Sequence, residues 1–186
     1  MNEGVKSISL DRTASAYVCL TGEQKLPELL GMLAEKKLTL ATAESCTGGL
    51  IGKTVTDVPG ASIVYVGGII SYTNDIKINV LGVSRKTIDE HTEVSAETAR
   101  EMAVCAIEKF SADIGVSSTG FAGPSGGTKE NPKGTVYICV AIKDGADNVH
   151  THTVRALFED EATRAEIRET SVYLALEILS RIARDV

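Results

Sequence analysis

Ser45 opens the search for chemistry. It lies in Thr42-Ala43-Glu44-Ser45-Cys46-Thr47-Gly48-Gly49, where an apolar run from Leu38 to Glu44 passes into small polar residues and then a helical pattern. A strand followed by a helix places Ser45 at the carboxyl end of the strand, where open α/β sheets bind ligands. It also places Ser45 beside a helix N-terminus, whose free N–H groups and dipole favour negative charge, a tetrahedral oxyanion included. Preorganised backbone donors of that kind contribute on the order of 3 kcal/mol to a transition state. Two other readings stay open. Ser45 and Thr47 serve equally well as plain N-caps, and Cys46 is a rival nucleophile, because a thiol at a helix N-terminus ionises more easily. The GxSxG pattern of the α/β-hydrolases is absent.

A serine nucleophile needs a base. Lys77 follows Ser71-Tyr72-Thr73-Asn74-Asp75-Ile76, a strand end running into a helical turn. A Ser–Lys pair works if the amine is desolvated or lies near another cation such as Arg164, so that it can accept a proton. Tyr72 is placed to relay that proton or to hold the lysine. Taken alone, Lys77 reads as well as a solvated surface residue. The third stretch is Ser118-Thr119-Gly120-Phe121-Ala122-Gly123-Pro124-Ser125-Gly126-Gly127-Thr128. Its glycines allow close backbone approach to a ligand and an anion-binding nest of N–H groups. It is neither a Walker A loop nor GxGxxG. Lys129, Lys133, Arg164 and Arg168 are the cations available to a phosphate. Arg164 and Arg168 lie four apart on one helix face, so either suits that role.

These residues need a scaffold. Leu26, Leu29, Leu30 and Leu33 give one apolar face to a helix over 23–37. Strands are expected at 38–44, 62–72, 113–119, 134–143 and 147–157, the second as a buried strand with Gly67-Gly68 marking a bulge or close packing. Helices are expected at 48–56, 74–81, 86–91, from the N-cap Ser95 to Phe110, and over 161–184, the last with Ile167, Ser171, Leu174 and Ile178 facing inward. Helices between the early strands imply parallel pairing, and Asp144-Gly145 marks a hairpin. The expected fold is α/β, a three-layer α/β/α sandwich with a mixed, mostly parallel sheet. Residues 1–22 show no clear period and read as an N-terminal arm, linker remnant or edge segment before one domain at 23–186.

Composition narrows the function. A net charge of -6 over 186 residues argues against a general nucleic-acid binder, so any phosphate must be held by a local cluster of donors. The beginning of the chain lacks a secretory h-region, and the apolar stretch Ala61–Ile70 is too short to span a bilayer. Cys19, Cys46, Cys105 and Cys139 form no metal-ligand spacing and read as free thiols in a reducing cytoplasm. His150 and His152 share one strand face without further ligands. No metal and no cofactor is expected.

Taken together and in order, TAESCTGGLIGKTVTDVPGAS, VGGIISYTNDIKINVLGV, ADIGVSSTGFAGPSGGT and ENPKGTVYICVA resemble the CinA C-terminal-domain family, over about residues 26–179. The resemblance implies a nicotinamide-nucleotide amidohydrolase, which turns nicotinamide mononucleotide into nicotinic acid mononucleotide and ammonia in pyridine-nucleotide salvage. It implies Ser45 as nucleophile, Lys77 as base, Tyr72 as the accompanying tyrosine and Arg164 as the arginine of the last helix. The expected substrate-binding set is Glu44, Thr47, Gly48, Thr119, Gly120, Gly123, Gly126, Gly127 and Arg164. The partners expected are a small nucleotide substrate and further copies of the chain in a homo-oligomer, with no nucleic acid and no membrane. The family usually reads F-x-G-D-R before the last helix, where this chain has Phe158-Glu159-Asp160-Glu161-Ala162-Thr163-Arg164. It usually reads H-G-A-V-S where this chain has His91-Thr92-Glu93-Val94-Ser95. Family members are often fused behind a molybdopterin-binding-like domain, which no segment of this chain resembles. The alternative is a non-catalytic nucleotide-binding or regulatory module. A phosphate-ester or pyrophosphate hydrolase is disfavoured, because Asp57, Asp75 and Asp113 lack the spacing of metal carboxylates.

Overall fold

A computed structural model describes residues 6–10, 25–146 and 148–184. Six strands form one sheet: β1 (Lys6–Leu10), β2 (Leu40–Glu44), β3 (Tyr65–Ile70), β4 (Ile114–Gly120), β5 (Thr135–Lys143) and β6 (Val149–Phe158). Their spatial order is β1-β6-β5-β4-β2-β3. β2 lies parallel to both β3 and β4, and β1 is parallel to β6, whereas β4–β5 and β5–β6 are antiparallel. The sheet is therefore mixed, with three parallel pairings of five. Part of the segment read as an arm or edge piece is β1, one of the two edge strands; the rest of residues 1–22 lies outside the described residues, Cys19 included.

Helices cover both faces. α1 (Lys25–Glu35), α2 (Leu50–Thr56) and α5 (Arg164–Ile182) pack on one side, where Leu29, Leu33, Ile51, Val55, Ile167 and Leu179 meet Leu40, Val116 and Ile138. α3 (Arg85–His91) and α4 (Ala96–Phe110) cover the other, where Met102, Ala103 and Ile107 meet Ala41, Ala43, Cys139 and Ala141. Successive residues of β2 and β5 feed opposite layers, as the period of two requires. Both faces being covered, these strands are buried along their length, the pattern of a sheet inside an α/β/α sandwich. Gly115 lets α4 approach closely: a Cβ there would collide with the Ala103 carbonyl.

Two sequence expectations need correction. The run 62–72 is not a buried strand. Residues Ala61–Ile63 form a 3-10 turn, the strand begins at Tyr65, and β3 is an edge strand whose Val66 and Ile70 are exposed. A continuous apolar run does not by itself distinguish an edge from an interior position. The Gly67-Gly68 pair does mark a bulge: Leu40 pairs with Tyr65 but Ala41 with Gly67, so Val66 is the extra residue. The last helix starts at Arg164, with Thr163 and Glu166 forming a reciprocal capping box, and its inner face centres on Ile167, Val172, Ala175, Leu176 and Leu179, with Leu174 and Ile178 packed against the same core at its margin, partly buried. No helix among the described residues is long and apolar enough to cross a membrane.

Candidate active site

Ser45 follows β2 directly. Its amide donates to the Ser118 carbonyl at 2.9 Å, which extends the β2–β4 pairing by one residue and fixes the serine at the strand's carboxyl end. Lys77 reaches it from the neighbouring edge. After β3, Thr73 caps a turn over Asn74–Ile76, and the chain widens into a π-helical turn over Lys77–Leu81 closed by Gly82. Wide turns of this kind are frequent at functional sites. The Lys77 side chain is 1% exposed, and its Nζ donates to Ser45 Oγ at 3.0 Å and to the Ser71 carbonyl at 2.8 Å. Among the described residues it has no ion-pair partner. Burial pushes its pKa down to about 8, while the Glu93 carboxylate and Cys46 act in the opposite direction. Arg164 is not what depresses it. The lysine is thus buried, bonded to the serine and easier to deprotonate than one in water.

Cys46 is buried beside the pair. Burial pushes its thiol up to about 11, with a hydrogen bond involving Ser118 lowering it less. The helix N-terminus does not offset this, because its donors are already engaged. Glu44, 1% exposed, turns its carboxylate into the start of α2 and accepts from the Gly49, Ile51 and Gly52 amides at 2.9, 3.0 and 2.8 Å. Thr47 Oγ1 donates to the same carboxylate at 2.7 Å and lies 2.6 Å from Ser118 Oγ. Glu44 and Thr47 therefore hold the turn together and do not line the cavity. Nor do the α2 amides remain free for an oxyanion, as the sequence led one to expect: the chain's own carboxylate occupies that anion site. Gly48 also shapes the turn. It adopts φ 62, and a Cβ there would press on the Arg168 guanidinium. Arg168 is committed to this turn, donating to the Cys46 and Thr47 carbonyls at 3.1 and 2.8 Å.

A cavity of about 190 Å³ opens over the serine, lined by Ser45, Cys46, Lys77, Glu93 and Thr119 with Gly120, Phe121 and Ala122, and by Tyr72 and Arg164. This is smaller than the ~300–1,000 Å³ of most small-molecule sites. It suits the reacting end of a ligand, with the remainder in the mouth. Arg164 stands there, donating to the Gly123 carbonyl at 2.8 Å and to the Tyr72 hydroxyl at 3.0 Å. Tyr72 is 58% exposed, and the bond to Arg164 takes the place of the relay to Lys77 that its sequence position implied; the Ser71 carbonyl holds the lysine instead. Of the glycine loop, Thr119 and Gly120 border the cavity and Gly123 orients Arg164. Gly126 and Gly127 stay outside it and turn the loop with φ 95 and 107.

Two members of this site escaped the sequence reading. Ser118 offers its carbonyl and hydroxyl to the serine turn. Glu93 is the one carboxylate among the described residues that line the cavity. No cluster of metal-ligating side chains occurs among the described residues, and His150 bonds Asp144 across the β5–β6 hairpin.

The sequence profile of the CinA C-terminal domain matches residues 23–183. A CinA-like protein of Leptospira borgpetersenii is 47% identical over 156 residues, covering 84% of this chain and 37% of that protein. One of Chlorobium limicola is 45% identical over 169 residues, covering 87% of this chain and 39% of its own length. The chain thus spans well under half of those relatives. Among solved structures, the competence/damage inducible protein CihA of Agrobacterium tumefaciens superposes with a TM-score of 0.74 at 39% identity, over 83% of this chain and 90% of that one. A CinA superfamily protein of Klebsiella pneumoniae gives 0.78 at 27% identity, over 88% and 100%. On the profile match, the identities and the shared fold, this chain belongs to the CinA family, through its C-terminal domain.

Proposed function

We propose that this domain hydrolyses the carboxamide of nicotinamide mononucleotide to nicotinic acid mononucleotide and ammonia, with Ser45 as nucleophile and Lys77 as base. The observation that carries the reading is the buried Lys77 amine, 3.0 Å from Ser45 Oγ and with its pKa lowered to about 8. A serine hydroxyl has no use for such a partner as a helix cap. At pH 7 about one lysine in ten would be neutral, enough to serve as a general base.

In this scheme neutral Lys77 takes the Ser45 proton as Oγ bonds to the carboxamide carbon. That carbon is electron-poor because the ring is a pyridinium. The α2 amides being engaged, the Cys46 N–H is the candidate for the oxyanion: it follows the serine and donates to no backbone carbonyl among the described residues. Lys77 then gives the proton to nitrogen, the C–N bond breaks and ammonia leaves. Water, deprotonated by the same lysine, attacks the ester; as the bond to Oγ breaks, Lys77 returns the proton to Oγ and frees Ser45. Arg164 at the mouth has N–H groups to spare beyond its two bonds and suits the phosphate.

Purified protein should release ammonia from nicotinamide mononucleotide in the presence of a chelator. Activity that appears only with an added divalent cation would rule out this chemistry. Binding of the mononucleotide without any turnover would favour the regulatory-module reading.

A further inference from the structure

Glu93 is out of place in a cavity built around two cations. It lies on the segment joining α3 to α4, and its carboxylate is half-buried in the cavity wall, within electrostatic reach of Lys77. Yet it forms no ion pair and no side-chain hydrogen bond among the described residues. The segment is held firmly. Thr119 Oγ1 donates to the Glu93 carbonyl at 2.6 Å, Asn131 Nδ2 to the Val94 carbonyl at 2.9 Å, and Thr98 Oγ1 to the Thr92 carbonyl at 2.6 Å. Thr92 itself adopts φ 68 and ψ 170, a conformation costly for any residue but glycine. The backbone is thus fixed, and the half-buried carboxylate, which no hydrogen bond or ion pair among the described residues engages and which Lys77 counters only at a distance, is available to a cationic group of a ligand.

We infer that Glu93 selects ligands whose ring is positively charged, by facing the pyridinium of the bound nucleotide while Arg164 faces its phosphate. The inference rests on the proposed substrate and sharpens it. The site's charges then run carboxylate inside, guanidinium at the mouth, complementary to a ligand with a cationic ring and an anionic tail. A neutral ring gains nothing from Glu93 and must still desolvate it. Discrimination against neutral rings is therefore a property of this one side chain.

The test compares two probes that differ by one hydride at ring C4 and therefore in ring charge: nicotinamide mononucleotide and its 1,4-dihydro form, whose ring is neutral. Calorimetric binding at pH 8 is measured in a Ser45→Ala background, where nothing is turned over, with Glu93 present and with Glu93→Gln. With Glu93, the cationic probe should bind about tenfold tighter than the neutral one, and Glu93→Gln should remove most of that preference. Equal affinities with Glu93 in place, a preference that survives Glu93→Gln, or failure of both probes to bind would overturn the inference. Ammonia release by the unmodified chain is scored separately. Its absence would sink the proposed reaction while the ratio of affinities still judged Glu93.

Discussion

Lys77 enters the core without a carboxylate bonded to it, and that has a measurable cost. A pKa lowered from 10.5 to about 8 corresponds to a penalty on the order of 3 kcal/mol for keeping the amine charged in the folded state. The sign follows from proton counts. Between pH 8 and 10.5 the unfolded chain binds more protons than the folded one, so stability rises with pH across that window; below it the penalty is complete. Lys77→Met should therefore be more stable than the unmodified chain at pH 7, with the gap closing as pH approaches 10.5, as urea denaturation at several pH values would reveal. A gap independent of pH would mean that Lys77 is not buried as a charge. The same shift sets the pH profile: kcat/KM should climb with pH and level off above about 8, because only the neutral amine accepts a proton. Arg164→Ala should raise KM more than it lowers kcat if the guanidinium holds a ground-state phosphate.

At the scale of elements, α2 begins on a carboxylate. Three amides and a hydroxyl converge on Glu44, so the short helix and the serine turn are one unit. Glu44→Gln would turn an amide NH2 toward backbone N–H groups that only donate, and should cost about 1–3 kcal/mol in unfolding free energy. A change below 0.5 kcal/mol would show that the turn holds without it. Much of this was readable in advance: the strand, turn and helix around Ser45 and the Ser95 cap followed from periodicity and residue type. The function of Glu44 was not, because a carboxylate next to a helix start looks the same whether it faces a ligand or its own backbone. Lys77 was ambiguous for a related reason. Its neighbours Asn74 and Asp75 are polar, and its burial shows only once the serine turn after β2, 32 residues away in sequence, meets it. Glu93 carried no local signal, since its place in the cavity depends on bonds from Thr119 and Asn131.

For the whole molecule, the mixed sheet gathers the site at the carboxyl ends of β2, β3 and β4, from which the serine turn, the lysine turn and the glycine loop emerge together. Arg164 joins them from the start of α5 through its bonds to Tyr72 and Gly123. The β3 edge beside them exposes Val66, Ile70, Tyr72, Ile76 and Val80. A homo-oligomer would cover such a flank, and Val66→Glu combined with Ile70→Glu is expected to lower the mass seen by light scattering; a chain already monomeric would contradict this. The central claim remains that serine and lysine act as one unit, and it is tested most directly by turnover of nicotinamide mononucleotide in four folded variants. Ser45→Ala, Lys77→Ala and the double variant should fall to a common low floor, while Cys46→Ala keeps most activity. A live Ser45→Ala beside a dead Cys46→Ala, or a fully active Lys77→Ala, would contradict it.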